Sequence, residues 1–220
     1  MAPTTTPGGA LTDSFERYAA LSALAAGLAS FLYACSFVIL ARSAPGRAED
    51  VSSASLLLLG GLLAIPVLVA VYRRLVPVDA GLAQVALLLG LVGAAGAVIH
   101  GGYDLANAVN PPAVVNEDLP NQVDPRRLVT LGVAGLAFLV IGQLIGRGAS
   151  LDRRLGLLSY ALGALMAIAY LGVLIVLDTD DPIVKIPGGL AYFVVLPAWY
   201  LWVALVLRGA PGGATPSSAS

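Results

Sequence analysis

Apolar residues along the chain are grouped into six long stretches with few charges, separated by short polar segments. A helix rises about 1.5 Å per residue, so a stretch of about 20 apolar residues spans the roughly 30 Å hydrocarbon core of a bilayer. The pattern predicts an all-α polytopic membrane protein, a bundle of six transmembrane helices. The predicted spans lie at about residues 18–40, 54–72, 80–101, 128–146, 155–177 and 186–207.

The two ends of the chain differ from these spans in composition. Residues 1–16 are polar, rich in Pro, Gly and Thr, and lack the positive charges that begin a secretory signal, so they are predicted to form a flexible tail. Residues 209–220 are rich in Gly, Pro and Ser and cannot bury enough apolar surface to fold. We therefore expect one transmembrane domain over 17–208 and a disordered tail after it.

Composition supports placement in a membrane. The chain is 58% hydrophobic and 11% charged, which leaves too little polar surface to cover a soluble domain of this size. Its net charge is -1 and its basic residues are scattered, so no nucleic-acid partner is expected, and membrane lipid is the expected surrounding. The single cysteine, Cys35, lies in an apolar stretch and is interpreted as core filler.

Positive charge predicts the orientation of the bundle. With the N-terminus in the cytoplasm, seven basic residues flank the spans on the inside and five on the outside. Lys and Arg are enriched in cytoplasmic loops, so both termini are predicted to be cytoplasmic. The inner set comprises Arg17, Arg73, Arg74, Arg147, Arg153, Arg154 and Arg208, and the outer set Arg42, Arg47, Arg126, Arg127 and Lys185.

Small residues recur at four-residue steps within the spans and predict close helix packing. Lipid provides no hydrophobic drive for helix association, so small side chains that let backbones approach are favoured at helix contacts. The stripes comprise Ala86, Gly90 and Ala94 in the third span, Gly142 and Gly146 in the fourth, and Ser159, Gly163 and Ala167 in the fifth.

Three short motifs carry a family resemblance over about residues 17–208. They are the run 72–78 (YRRLVPV) before the third span, 153–158 (RRLGLL) at the start of the fifth and 187–190 (PGGL) at the start of the sixth. With these motifs the chain resembles the uncharacterised bacterial six-pass membrane family catalogued as domain-of-unknown-function family 4386. The resemblance implies a multi-pass protein of the bacterial inner membrane, without an assigned activity or functional residues.

The third span passes directly into a polar cluster that contains the only histidine of the chain. His100 and Asp104 are four residues apart, so they can touch on one helix face. With the N-terminus inside, this cluster lies at the outer boundary and predicts a polar vestibule. Its candidate residues are His100, Tyr103, Asp104, Asn107, Arg126, Arg127 and Asp178.

Two interpretations of the His100 and Asp104 pair stay open at this point. A carboxylate beside an imidazole favours the imidazolium and fixes the ring, which gives a proton-handling pair. Alternatively, Asp104 caps the helix or pairs with a loop arginine, and His100 reaches the lipid headgroups. Within the membrane, Gln143, Ser159 and Tyr160 are predicted to make polar contacts between helices. No catalytic, metal or cofactor site is expected.

The sequence supports three hypotheses about function. The first is a non-enzymatic membrane protein whose vestibule binds a lipid, a small apolar ligand or a partner. The second is a small-molecule transporter or permease that uses the same vestibule as its entrance. The third is an intramembrane enzyme with His100 and Asp104 as acid and base. Neither the ligand nor the oligomeric state is indicated.

Overall fold

The computed structural model describes residues 8–36, 46–111, 126–148, 151–178 and 181–209. Within these ranges every regular element is a helix, and six helices are long and apolar enough to cross a membrane. The predicted all-α six-helix bundle is confirmed. The helices are α1 Gly8–Cys35, α2 Arg47–Leu75, α3 Ala80–Val109, α4 Leu128–Arg147, α5 Arg153–Val176 and α6 Pro182–Arg208.

Four helices extend beyond the apolar stretches that predicted them. α1 begins at Gly8 rather than near residue 18, α2 begins at Arg47 rather than near residue 54, α3 continues to Val109, and α6 begins at Pro182. Helical hydrogen bonds form in water as well as in lipid, so the loss of hydropathy does not end a helix. Because α1 begins at Gly8, residues 8–16 of the predicted flexible N-terminal tail lie within this helix. Residues 1–7, the predicted end of the first span at 37–40, and residues 210–220 lie outside the described residues.

Aspartates fix the start of three helices. Each carboxylate oxygen Oδ1 accepts a hydrogen bond from a backbone N–H in the first turn, which satisfies a donor that has no partner within the helix. The negative charge also lies at the positive end of the helix dipole. The pairs are Asp79 with Leu82 at 3.0 Å in α3, Asp152 with Arg154 at 2.9 Å in α5, and Asp181 with Ile183 at 2.8 Å in α6.

The six helices form a closed ring in chain order. Each helix packs against the one before it and the one after it, and α6 also packs along α1, which closes the ring. α1 and α2 run antiparallel, as shown by the ion pair of Glu16 near the start of α1 with Arg74 near the end of α2, at 2.7 Å. We call the end with the α1–α2, α3–α4 and α5–α6 connections the open end, and the opposite end the closed end.

Glycines allow the helices of the ring to approach closely. A Cβ added to Gly101 in α3 would lie 2.6 Å from the Ala54 carbonyl oxygen of α2, and one added to Gly163 in α5 would lie 2.7 Å from the Gly135 carbonyl oxygen of α4. These distances are too short for any side chain, so only glycine permits the observed spacing. The predicted packing role of Gly163 is therefore confirmed.

One predicted packing position is wrong. Gly146 was expected to continue the small-residue stripe of α4 from Gly142, which does pack against Tyr160 of α5. Gly146 is instead exposed, and an added Cβ would meet nothing within 4 Å. It lies in the last turn of α4, beside Arg147, where the helix reaches the closed end and its surface is free of neighbours.

Large side chains fill the closed half of the ring. Trp199 of α6 is fully buried, with its ring 5.0 Å from that of Phe138 in α4 and 5.3 Å from that of Tyr200. Its Nε1–H donates to Ser159 Oγ of α5 at 2.8 Å, so the indole has a hydrogen-bond partner in the apolar interior. Further buried residues in this half are Leu75, Leu144, Ile145, Leu155, Val203 and Leu207.

The outer surface of the ring is apolar on every helix. A large exposed apolar surface is unusual for a monomeric protein in water, whereas it is ordinary for a protein in lipid. Residues at least 47% exposed, one on each helix in order, are Leu21, Leu62, Leu88, Leu136, Leu157 and Leu201. The exposed faces therefore support insertion of the whole ring into a bilayer.

Candidate functional site

A cavity of about 1100 Å³ opens between the helices at the open end of the ring. We call it the vestibule. Its volume is slightly above the usual range of small-molecule sites, and all six helices or their ends contribute to its lining. The described polar residues of that lining are Tyr33, Arg47, Glu49, Asp50, Ser53, His100, Asp104, Asn107, Arg127, Lys185 and Tyr192.

The structure places four of the predicted vestibule residues in that lining, namely His100, Asp104, Asn107 and Arg127. They lie there because α3 stays helical to Val109, so the polar residues after Ile99 keep helical spacing. Tyr103 is 56% exposed, on the outer side of α3. Among the described lining residues, neither Arg126 nor Asp178 is found, and Asp178 is exposed just after α5.

A polar network joins α3 to the start of α4 beside the vestibule. His100 Nε2 lies 3.4 Å from Asp104 Oδ2, and Arg126 Nη1 lies 2.8 Å from Asp104 Oδ1. His100 Nδ1 is 3.4 Å from the hydroxyl oxygen of Thr130. That hydroxyl donates to the Arg126 carbonyl oxygen at 2.8 Å. The carboxylate of Asp104 therefore has a cationic partner from each helix when His100 is protonated.

The network places a hydrogen-bond acceptor opposite each ring nitrogen of His100. Because the Thr130 hydroxyl uses its hydrogen on the Arg126 carbonyl, its oxygen is left to accept a hydrogen from His100 Nδ1. On the other side of the ring, Nε2 faces a carboxylate oxygen, which is also an acceptor. Both ring nitrogens thus face acceptors, and the doubly protonated imidazolium is the form that satisfies both contacts.

Arg126 is held away from the vestibule. Its guanidinium carbon lies 4.1 Å from the centre of the Tyr103 ring, in the geometry of a cation–π contact, while Nη1 bonds Asp104. The two contacts hold the side chain on the outer side of α3. Of the two arginines before α4, Arg127 is therefore the one that faces the vestibule.

A smaller, apolar cavity of about 80 Å³ lies next to the vestibule, toward the middle of the ring. We call it the inner chamber. Tyr33, Leu57 and Tyr192 line both cavities, and the ring centroids of the two tyrosines lie 5.5 Å apart. Small residues line most of the chamber: Ala26, Ser30, Gly60, Gly61, Ala64, Gly90, Gly93, Ala94, Ala97, Thr130, Ala134 and Ala137.

Two π-helical turns border this cavity system. The turn Leu128–Val133 begins α4 and carries Thr130, and the turn Ala191–Val195 lies within α6 and carries Tyr192. The second turn has a cause in the sequence. Pro197 has no N–H to donate to the residue four positions earlier and its ring crowds that carbonyl, so the preceding turn widens. Such turns are frequent at functional sites.

The cavity system ends within the ring. Phe138, Ile141, Met166 and Tyr200 lie at the inner side of the chamber, and the large buried residues of the closed half follow. Among the described residues, the cavity system is therefore polar at the open end of the ring and apolar toward its middle. This is the distribution of polarity that an amphipathic molecule requires.

The three predicted interhelical polar residues have different environments. Ser159 is fully buried and links α5 to α6 through Trp199. Tyr160 packs on Gly142 of α4, with its ring exposed on one side. Gln143 lies exposed on the outer face of α4, near the closed end, so it does not occupy an interhelical contact as expected. Which face of α4 is buried depends on its neighbours in the ring, which spacing within one helix does not determine.

The substitution Asp104→Asn tests how much the network contributes to the stability of the protein. We expect Asp104→Asn to lower the free energy of unfolding by about 1 kcal/mol or less, because the Asp104 side chain is 42% exposed and ion pairs at such positions contribute little. Thermal unfolding in detergent measures the effect. His100→Gln, which removes one of the two partners, serves as the comparison. Loss of the folded protein in either variant would show that the network contributes much more to stability than an exposed ion pair does.

Comparisons with known proteins give no match, whether with protein-family models, curated proteins or solved structures. The class of protein follows from the structure itself. Six helices of membrane-spanning length with apolar outer faces define a multi-pass integral membrane protein.

Proposed function

We propose that the protein is non-enzymatic and binds a lipid or another small apolar molecule in the vestibule and inner chamber. The observation that supports this most is the polarity of the pocket along its axis. The vestibule carries the charged and amide side chains, whereas the inner chamber is lined almost entirely by Ala, Gly and larger apolar residues. Membrane ligands combine a polar end with an apolar body, and this pocket offers complementary surfaces to both.

We further propose that the open end faces the outside of a bacterial inner membrane. Basic residues support this orientation, since seven flank the spans at the closed end and five at the open end. The closed end also joins its helices through short connections, α2 to α3 by residues 76–79 and α4 to α5 by residues 148–152. Membership of the six-pass family stays a prediction based on the motifs of the sequence.

A transporter would need a second entrance, which the closed half of the ring does not favour. Leu75, Leu144 and Leu155 are each at most 1% exposed, and Trp199 packs across the interior between α4, α5 and α6. Opening this half would separate several close-packed side chains at once. The binding function requires no such change.

An intramembrane enzyme is also less well supported. His100 and Asp104 have the separation of an acid–base pair, but Asp104 is already bonded to Arg126, and His100 is held on both ring nitrogens. A general base must have a nitrogen or oxygen available to the reacting proton. The network is better suited to fixing α3 against α4 at the entrance.

Co-purification tests the proposed binding function. We expect protein extracted in a mild detergent to retain a small molecule in roughly stoichiometric amount, detectable by mass spectrometry of the extracted sample. Gly60→Phe should abolish this retention, because Gly60 lines the inner chamber and an added Cβ meets nothing within 4 Å. The aromatic ring would then fill the chamber without forcing the helices apart.

Gly146→Phe is the matched control for that experiment. Its Cβ also meets nothing within 4 Å, but Gly146 is exposed at the closed end, so retention should be unchanged. Protein that is reproducibly empty, or a bound molecule that remains in the Gly60→Phe variant, would contradict the proposed pocket.

A further inference from the structure

The structure assigns a chemical class to the occupant of the pocket: we infer that it is a single-chain amphiphile with an anionic head, the head bound by Arg127 and the end of the chain in the inner chamber. This inference rests on the proposed binding function and makes it more specific. It is drawn from the charges of the vestibule, the position of Arg127 and the depth of the pocket.

The other ionic groups of the vestibule are bonded to described residues, lie at a helix start or are exposed. Asp104 bonds Arg126 and contacts His100. The Arg47 guanidinium donates to the Val109 carbonyl oxygen at 2.7 Å. Glu49 and Asp50 lie in the first turn of α2, at the positive end of the helix dipole, and Asp50 is exposed. Lys185 is exposed at the start of α6.

Arg127 differs from these groups. It is half-buried and lines the vestibule, yet among the described residues it has neither an ion-pair nor a hydrogen-bond partner. A guanidinium partly removed from water binds carboxylate or phosphate oxygens strongly, through two parallel hydrogen bonds. An anionic head at this position would give Arg127 such a partner. A cationic or neutral head would not.

The pocket is deep enough to hold one hydrocarbon chain. From Arg127 to Ile141, on the inner side of the chamber, α4 advances 14 residues, or about 20 Å at the rise of a helix. A single lipid chain spans one leaflet, which is about half of the roughly 30 Å bilayer core, so a chain held at Arg127 reaches the chamber. The volume of about 80 Å³ beyond Tyr33 and Tyr192 leaves no room for a second chain alongside.

A chain brominated at its end places a fluorescence quencher at the base of the pocket. Trp199 contacts Phe138 and Tyr200, which line the inner chamber, and its own side chain is sealed from the lipid. The sequence has two tryptophans, so Trp202→Phe leaves Trp199 as the only one. With this variant in detergent, we expect 16-bromohexadecanoic acid to quench the emission saturably. 2-Bromohexadecanoic acid, with its bromine beside the head, should bind without quenching.

The contribution of the head is tested at Arg127. In the same single-tryptophan background, Arg127→Gln should weaken binding of 16-bromohexadecanoic acid by about tenfold or more, as expected for loss of a charge-assisted hydrogen bond. Arg127→Lys should restore part of the affinity. Arg153→Gln, which removes an exposed arginine at the closed end, should have no effect. The uncharged 16-bromohexadecanol should bind more weakly than the acid. Its affinity should be the same for the single-tryptophan protein and for the Arg127→Gln variant of that protein.

The outcomes separate the inference from the function on which it rests. If the acid and the alcohol quench saturably and equally, with or without Arg127, the pocket is a binding site but the inference of an anionic head is wrong. Quenching by the 2-bromo acid as strongly as by the 16-bromo acid would overturn the proposed direction of the chain. Absence of quenching by every brominated probe, together with empty protein in the co-purification experiment, would reject the pocket as a binding site.

Discussion

Replacing Trp199 with alanine is expected to lower the free energy of unfolding by about 3–5 kcal/mol, the cost of removing a large aromatic side chain from a packed core. Trp199 is the largest fully buried side chain among the described residues. It contacts α4 through Phe138 and α5 through Ser159, so its loss opens a cavity where three helices meet. Unfolding of the purified protein in mixed micelles of increasing denaturing detergent measures the change.

Two further variants identify the source of this effect. Trp199→Phe keeps an aromatic ring against Phe138 but removes the hydrogen bond to Ser159, whose hydroxyl still donates to the Leu155 carbonyl oxygen. The loss of this hydrogen bond in Trp199→Phe should lower the free energy of unfolding by about 1 kcal/mol. Trp202→Ala changes the same residue type at a half-buried position of the same helix and should cost clearly less than Trp199→Ala. Equal losses in the Trp199→Ala and Trp202→Ala variants would contradict a central packing role for Trp199.

Leucine at position 101 is the second change expected to have a large effect. The Cβ of any side chain there would lie 2.6 Å from both the Ala54 carbonyl oxygen and the Leu58 backbone nitrogen. These atoms belong to the backbone of α2, which cannot move aside as a flexible side chain can. Gly101→Leu should therefore separate α2 from α3 and destabilise the protein by about 3 kcal/mol or more, at or above the usual range for overpacking.

The adjacent glycine provides the control for this substitution. A Cβ at Gly102 would lie 3.8 Å from the Leu58 side chain, which is an ordinary van der Waals contact. Gly102→Leu should cost less than about 1 kcal/mol, since it requires no movement of the backbone. Thermal unfolding of both variants, followed by size-exclusion chromatography in detergent, distinguishes them. A Gly101→Leu variant as stable as Gly102→Leu would show that the two helices are not locked together here.

The features of the fold that depend on local sequence could be predicted. Long apolar stretches predict spans because a bilayer imposes one length on every helix that crosses it. The contact between His100 and Asp104 was also predictable, since residues four apart on one helix face are neighbours whatever surrounds them. The predicted starts of α2 and α6 were too late because hydropathy marks the edge of the lipid and not the end of a helix.

The inner chamber could not be predicted in the same way. Its lining comes from all six helices, so it exists only once the ring has closed. Tyr33 and Tyr192 are far apart in the sequence and each is one polar residue in an apolar stretch, which gives no sign that they meet. Thr130 faces His100 from a π-helical turn, and that turn alters the residue spacing on which a helical pattern depends.

Closure of the ring by α1 and α6 has a consequence for synthesis at the ribosome. Each of the helices α1 to α5 can pack against its successor as soon as that helix is made. The face of α1 that contacts α6 has no partner until α6, the final helix, has been synthesised. α6 also carries Trp199, so the largest fully buried side chain of the described residues is added with the last helix. Premature termination before residue 182 would therefore leave a C-shaped assembly whose two unsealed edges are available to other chains or to quality-control proteases.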